Sequence, residues 1–364
     1  MGITVAIIKP SGNGCNLQCN YCYVNGKSSK THYMSIETAK IVVDELLSQN
    51  DVEEVEFLWH GGEPLLRGLP FFDEIFRYQK EISDKGQKKF INAIQSNLTL
   101  LNNDWLDFFQ KYNITLSSSL DGPMHLHDIN RVKSSGEGSF QLVKEKIALA
   151  QSKGFRVNIL CVISKTNVDY PEEICKTFNS LGINHVGFLP CYQICDGNVV
   201  YPSLSPGEYG RFITKVFNLF LTQKVSFQIR EFEQFFGGVI GHPQDVCSFT
   251  GHCNRFICVD YNGDVYSCDT SPQDDDHSFG NLAYNSLHEL LNTEKYKNFS
   301  CGTANFPISC KTCEYFDHCH NGCYNMRPKG KYLFCEDRKI IFSYFETLVR
   351  TINMKGDFAN VDTI

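Results

Sequence analysis

No apolar run in this chain is long enough to span a bilayer, and the opening Met1–Lys9 lacks both the basic n-region and the small-residue cleavage site of an export signal. A basic block is missing as well. The balance of 34 Lys and Arg against 41 Asp and Glu gives a net charge of −7, which speaks against nucleic-acid and membrane binding. There is no low-complexity tract, so the 364 residues are expected to fold as one large domain with a smaller appendage. Only fourteen residues precede Cys15, too few for a separate leader-binding domain. Any polymeric substrate is therefore expected to be recognised by the main domain, by the segment that follows it or by a partner chain.

Cysteine is what the chain has in excess. Seventeen are present. In a short secreted chain that count reads as a disulfide framework, but this chain is long and carries no export signal. In a reducing cytoplasm, clustered thiols are better suited to metal. The densest group is Cys15-Asn16-Leu17-Gln18-Cys19-Asn20-Tyr21-Cys22-Tyr23. Iron–sulfur clusters are normally held by four Cys thiolates. Three thiols with gaps of three and two residues reach three irons of one [4Fe–4S] cube and leave the fourth iron open to another ligand. Such clusters are oxygen-labile, so the expected setting is an anaerobic or oxygen-protected cytoplasm.

Apolar runs then alternate with amphipathic stretches. Strands are expected at Ile3–Ile8, Val55–Trp59, Phe90–Gln95, Ile114–Ser119, Val157–Ile163 and His185–Leu189. Helices are expected near Ile36–Leu47, Phe71–Ile82, Asn103–Tyr112, Ser139–Lys153 and Glu172–Leu181, with Ser35 and Ser139 as N-caps. Strands joined by crossover helices make a parallel sheet, either doubly wound or rolled into a barrel. The polar motifs each fall just past a strand, where parallel α/β folds place their chemistry. The Cys loop follows the first strand and Gly61-Gly62-Glu63-Pro64 the second. Gln95-Ser96-Asn97 ends the third and Ser119-Leu120-Asp121-Gly122-Pro123 the fourth, with Arg131 close behind.

The run CxxxCxΦC, with Tyr21 as the aromatic, together with these strand-end motifs resembles the radical S-adenosylmethionine (radical SAM) family over nearly the whole chain. The resemblance implies an α/β fold, a partial (β/α)6 TIM barrel, with Cys15, Cys19 and Cys22 holding a [4Fe–4S] cluster whose open iron chelates SAM. It implies a 5′-deoxyadenosyl radical that removes a substrate hydrogen atom. Gly61, Gly62 and Glu63 would bind the SAM amino group, Gln95, Asn97, Ser119 and Arg131 the ribose and carboxylate, and Leu160 would lie against adenine. Cys161, on the same strand, reads as a small hydrophobe.

Beyond a mostly helical connection, roughly Pro206–Gly241, come Cys247, Cys253, Cys268, Cys310, Cys313, Cys319, Cys323 and Cys335. A CxxC alone is compatible with zinc or a redox dithiol. Eight ligand-spaced thiols suffice for two fully ligated cubes. The ordered set resembles the SPASM domain, a small Cys-rich unit with a β-hairpin and a C-terminal helix, found behind radical SAM barrels. Its pattern crosses over: Cys247, Cys253, Cys268 and Cys323 would hold one auxiliary cluster, and Cys310, Cys313, Cys319 and Cys335 the other. The implied organisation is a barrel over 1–205, a helical bridge over 206–246, the SPASM domain over 247–340 and a C-terminal helix and tail over 341–364. Asn262-Gly263 suits the hairpin turn.

Fully ligated auxiliary cubes leave electron transfer as their role. Oxidising a substrate radical to a closed-shell product requires one electron and usually one proton to leave, and the proton needs a base. Asp269, directly after Cys268, is the expected base, since sulfatase-maturing relatives carry Cys-Asp here. His60, at the active rim, is a second catalytic candidate. Asp274-Asp275-Asp276 and His277 read as a solvated acidic loop.

The first functional expectation is oxidative modification, such as cross-linking, of a ribosomally made precursor peptide. Two departures from sulfatase-maturing relatives motivate it: His60 before Gly61 where they usually have Gln, and Leu98 after Asn97 where they usually have Gly. The alternative is anaerobic sulfatase maturation, converting Cys or Ser to formylglycine. It is suggested by the Ile-Lys-Pro opening, the Ser-Leu-Asp-Gly-Pro segment and Cys268-Asp269. A small-molecule radical SAM dehydrogenase is a third reading, and a non-catalytic Fe–S scaffold belongs to a different class. Expected partners are a peptide or protein substrate and an electron donor such as flavodoxin or ferredoxin.

Overall fold

Six parallel strands stand side by side in chain order: β1 (Val5–Ile8), β2 (Glu54–Trp59), β3 (Lys89–Ser96), β4 (Thr115–Ser119), β5 (Val157–Ile163) and β6 (His185–Pro190). A doubly wound sheet reverses its order at a switch point. None occurs here, so the alternation resolves as an open, barrel-like sheet. The computed structural model describes residues 2–23, 31–86, 88–195, 198–251 and 253–355. The tail expected to end the chain beyond 355 and the side chain of Cys195 lie outside the described residues.

Helices α1 (Ile36–Leu47), α2 (Leu69–Gly86), α3 (Asn103–Lys111), α4 (Met124–Asn130), α5 (Phe140–Ser152) and α6 (Pro171–Ser180) fill the crossovers. Their apolar faces bury against the strands as the 3.6-residue period requires. In α2, Phe71, Phe72, Ile75 and Phe76 are buried, and the three Phe rings pack around Trp59 at centroid distances of 6.2, 5.4 and 5.6 Å. The polar atoms in this core are satisfied. Asn92 Oδ1 accepts from Trp59 Nε1 at 2.9 Å, and Asn92 Nδ2 donates to Gln79 Oε1 at 2.9 Å.

The caps divide. Ser35 Oγ accepts from Thr38 N at 3.0 Å, as expected. Ser139 occupies the N-cap of α5 without capping it. Its buried hydroxyl donates to Arg131 O at 2.8 Å and meets His127 Nε2 at 2.9 Å, while Asp128 Oδ1 accepts from Phe140 N instead.

The region expected to be helical bridge contains α7 (Glu208–Leu221) and α8 (Arg230–Val239), and between them a two-residue strand, β7 (Gln228–Ile229), which pairs with β6. On the other edge, β8 (Phe256–Val259) pairs in parallel with β1, from Val5 opposite Phe256 to Ile8 opposite Val259. The chain then returns antiparallel as β9 (Asp264–Tyr266), through a turn in which Gly263 takes φ +91°, and β10 (Gly280–Asn281) closes the edge. The hairpin of the Cys-rich region is thus continuous with the barrel sheet. The last helix, α9, runs Cys335–Lys355, beginning six residues before the expected boundary at 341. Glu336 and Asp337 suit its N-terminal dipole. It packs on α7 and α8 through Phe345 against Phe217 (4.6 Å) and Phe342 against Phe235 (5.2 Å). Among the described residues, no helix is long and apolar enough to cross a membrane.

Candidate active site and cluster-binding cysteines

The Cys15–Cys22 loop is pinned from three sides, on two of them by backbone bonds. Gly62 N donates to Gly12 O and Glu63 N to Gly14 O (2.9 and 2.7 Å), tying it to the segment after β2. Gln18 N donates to Val132 O and Asn20 N to Asn130 O (2.7 and 2.9 Å), tying it to the end of α4. Asn97 Nδ2, at the end of β3, donates to Asn16 Oδ1 at 2.9 Å and lies 3.6 Å from Cys15 Sγ. The approach at Gly62 is so close that a Cβ there would stand 2.0 Å from Gly14 O. Gly62→Ala is therefore expected to displace the loop and lower bound iron by about four atoms per chain, measured after anaerobic reconstitution.

Glu63 is fully buried and ties two strand ends together. Its Oε1 accepts from Leu65 N and Ser96 Oγ, both at 2.9 Å, and Oε2 accepts from Asn97 N at 2.8 Å. Burial raises its pKa to about 7, against the lowering effect of those donors. Among the described residues no cation pairs with it, so an ammonium ligand fits this carboxylate. Gln95 Nε2 donates to Ser119 Oγ at 3.1 Å, and Ser119 is registered against Leu160 on β5, so these three sit along one rim.

Arg131 is buried, with its Nε donating to Asp121 Oδ2 at 2.8 Å and its guanidinium 5.3 Å from the Tyr21 ring. Tyr21 OH also donates to Asp121 Oδ2. Asp121 Oδ1 accepts from Val162 N at 2.9 Å. Asp121 is thus the hub that holds Tyr21, Arg131 and β5 under the Cys loop. Its role was missed in the sequence, where the Ser-Leu-Asp-Gly-Pro motif was the available signal.

The two catalytic candidates come together. His60 Nε2 is 3.9 Å from Asp269 Oδ2, and their side chains are 23% and 16% exposed, so both are reachable from the rim. Tyr23, next to Cys22, donates its OH to Asp269 Oδ2 at 2.7 Å. The Cys268 thiol donates to Asp269 Oδ1 at 3.0 Å, a bond that a metal-bound thiolate does not make. Burial pushes the Asp269 carboxyl up, but His60, these hydrogen bonds and the Lys9 ammonium outweigh it and hold it below its ordinary range. Burial likewise holds His60 below its ordinary value, so it is neutral at pH 7. Lys9 is wholly buried at the end of β1, its Nζ 5.9 Å from the Tyr23 ring and, among the described residues, without a hydrogen-bond partner. Sequence reasoning met Lys9 only within the Ile-Lys-Pro opening and Tyr23 only as the end of the Cys loop, and gave neither a role at the site.

The remaining eight thiols form two neighbourhoods. Cys247 feels the charges of Cys253 and Cys323, and Cys268 that of Cys323. Cys310 feels Cys335, Cys319 and Cys313. The members of the two groups are the residues that the resemblance assigns to two auxiliary clusters. All sixteen cysteines with described side chains are free of disulfides. Burial raises the thiol pKa values of Cys15 and Cys247 to about 12, so bare thiols here stay neutral and a metal is needed to make them thiolates. Among the described residues, no three His, Cys, Asp or Glu side chains converge closely enough for a single ion. Cys161 is fully buried, and Asp274 pairs with His277 in an exposed loop, as expected.

Two family models match stretches of the chain. Residues 10–178 match the radical SAM superfamily and 247–314 an iron-sulfur cluster-binding domain, SPASM. A serine-type anaerobic sulfatase-maturating enzyme of Bacteroides thetaiotaomicron is 30% identical, over 90% of this chain and 83% of its own. A cysteine-type enzyme of Clostridium novyi is 29% identical, over 92% and 93%. The structure of native anSMEcpe with bound AdoMet and Cp18Cys peptide superposes with a TM-score of 0.87 at 27% identity, over 97% of this chain and 99% of that one. The chain accordingly belongs to the radical SAM enzymes with a C-terminal SPASM domain, in the group that includes the anaerobic sulfatase-maturating enzymes.

Proposed function

We propose that this enzyme oxidises a Cys or Ser residue of a sulfatase-type protein to formylglycine. The observation that carries the reading is the position of Asp269. It follows cluster ligand Cys268, is bonded through Tyr23 to the segment after cluster ligand Cys22, and is partly exposed at the rim. The base therefore stands between the segment expected to generate the radical and the segment expected to remove an electron.

With SAM and three [4Fe–4S] clusters bound, the cofactors supply hydrogen-atom abstraction and an acceptor for one electron. The target side chain, –CH2–XH with X sulfur or oxygen, loses a hydrogen atom from carbon, one electron and the X–H proton, leaving –CH=X. A thioaldehyde is then hydrolysed by water to the aldehyde, its sulfur leaving as hydrogen sulfide. Asp269 Oδ2 takes the proton, Tyr23 OH orients that oxygen, and neutral His60 stands next in line to pass the proton outward. Glu63 fits the SAM ammonium. Glu63→Gln, which removes the charge but keeps an acceptor for Leu65 N, is expected to weaken SAM binding by about 10- to 100-fold, the worth of a charge-assisted hydrogen bond. Equilibrium binding of SAM to the reconstituted protein checks this.

The sulfatase-maturing relatives support this reading over the cross-linking chemistry expected first. One of the two departures that favoured cross-linking also loses its force. Leu98 is fully buried in the core, with φ +61°, and does not face the site. Its left-handed backbone costs about 1–2 kcal/mol, an amount that burying a leucine offsets at about 1.5–3 kcal/mol. An anaerobic assay with SAM, a reductant (flavodoxin or ferredoxin serves) and peptides bearing Cys-x-Pro-x-Arg or its Ser counterpart tests the proposal. A hydrazine-reactive aldehyde is expected on at least one of them. Deoxyadenosine without aldehyde on either would restore the precursor-peptide reading.

A further inference from the structure

Arg338 is buried one turn into α9, whose first residue is the cluster ligand Cys335. Its Nη1 donates to Cys319 O at 3.0 Å and stands 3.7 Å from Cys319 Sγ, and Nη2 donates to Ser248 Oγ at 3.3 Å. The guanidinium lies over Phe249 at 4.0 Å and faces Tyr332 at 5.0 Å. A guanidinium does not give up its proton, and an enclosed charge is costly without a counter-charge. Among the described residues no carboxylate stands within ion-pair distance of it. The neighbouring Asp337 turns instead to the start of α7, where Oδ1 accepts from Gly210 N at 2.9 Å. The anions left to balance Arg338 are thiolates: Cys319 in contact and Cys335 on the same helix.

Arg327 offers the contrast. It donates to the carbonyls of His320, Asn321, Gly322 and Thr303. It thereby fastens the turn between Cys319 and Cys323, whose three residues all take left-handed φ (45°, 61° and 60°). That turn sends one cysteine to each neighbourhood. Arg327 feels Cys253, Cys323 and Cys310, so its charge is shared between the two groups, whereas among the cysteines the Arg338 charge acts chiefly on Cys319.

We propose that Arg338 is the resident counter-cation of the second auxiliary cluster and sets its reduction potential above that of the first. Reduction adds one negative charge to a group that four thiolates have already made anionic. A fixed cation in a low-dielectric pocket favours that added charge. With both clusters bound, the Arg338 charge would favour passage of one electron from the first to the second, with no bond or proton changed. The inference rests on the cluster ligands and not on the substrate proposed above.

The test is an anaerobic potentiometric titration of the reconstituted full chain, followed by EPR. The SAM-binding cluster is identified by its response to SAM, which leaves two auxiliary steps. Arg338→Met is expected to lower one auxiliary step by at least tenfold in its one-electron equilibrium, a 59 mV shift, with the other two steps unmoved. Arg338→Lys, which keeps the charge, is expected to hold the potential near wild type. Unchanged potentials in the Met variant, or equal shifts in both variants, would overturn the proposal. Where the Met variant loses the cluster, the Lys variant decides: a cluster retained at wild-type potential supports the charge role, and loss of the cluster there as well overturns it in favour of packing.

Discussion

Asp269→Asn leaves SAM cleavage running and removes the product. The amide keeps an oxygen for Tyr23 OH, so the local geometry survives, but it cannot take a proton at pH 7. General bases of this kind contribute about 10²- to 10⁴-fold, and the aldehyde yield is expected to fall by that factor while deoxyadenosine still forms. Measuring both compounds in one anaerobic reaction separates loss of the base from loss of the cluster. Product retained at wild-type yield would move the base elsewhere, and His60, 3.9 Å away, would be the first residue to examine.

Cys19→Ala has the larger effect. Cys15 and Cys19 stand on a loop whose backbone is held by β2 and α4, so truncating one thiol leaves the loop in place and removes a ligand. Iron is expected to drop from about twelve to about eight atoms per chain, with deoxyadenosine abolished and the two auxiliary clusters retained. Deoxyadenosine formed at wild-type rate would show that SAM is cleaved at another cluster.

Much of this architecture was legible in the sequence because its signals are local. Thiol spacing is a property of a short loop, and each strand and helix between Val5 and Ser180, the short α4 apart, carries its own apolar period. Asp269 could be named as a candidate because it adjoins Cys268, an expected ligand. The less legible features depend on distant encounters. Nothing near Phe256 announces that it pairs beside Val5, since a parallel edge pairing leaves no mark in either strand alone. Tyr23 acquires its partner 246 residues away, and Lys9 matters only because the hairpin brings Asp269 near it. Ser139 has the composition of a cap, and only burial beside His127 and Arg131 redirects its hydroxyl. Leu98 looked like a change at the site because sequence adjacency to Asn97 does not reveal that its side chain turns into the core.

The most direct test of the central claim uses a Cys-x-Pro-x-Arg peptide deuterated at the β-carbon of its cysteine, under anaerobic turnover with SAM and reductant. The account predicts that deuterium appears in 5′-deoxyadenosine in step with the aldehyde formed, and that both are lost together in Cys19→Ala. Aldehyde formed without label in deoxyadenosine, or labelled deoxyadenosine with the peptide returned unoxidised, would contradict it.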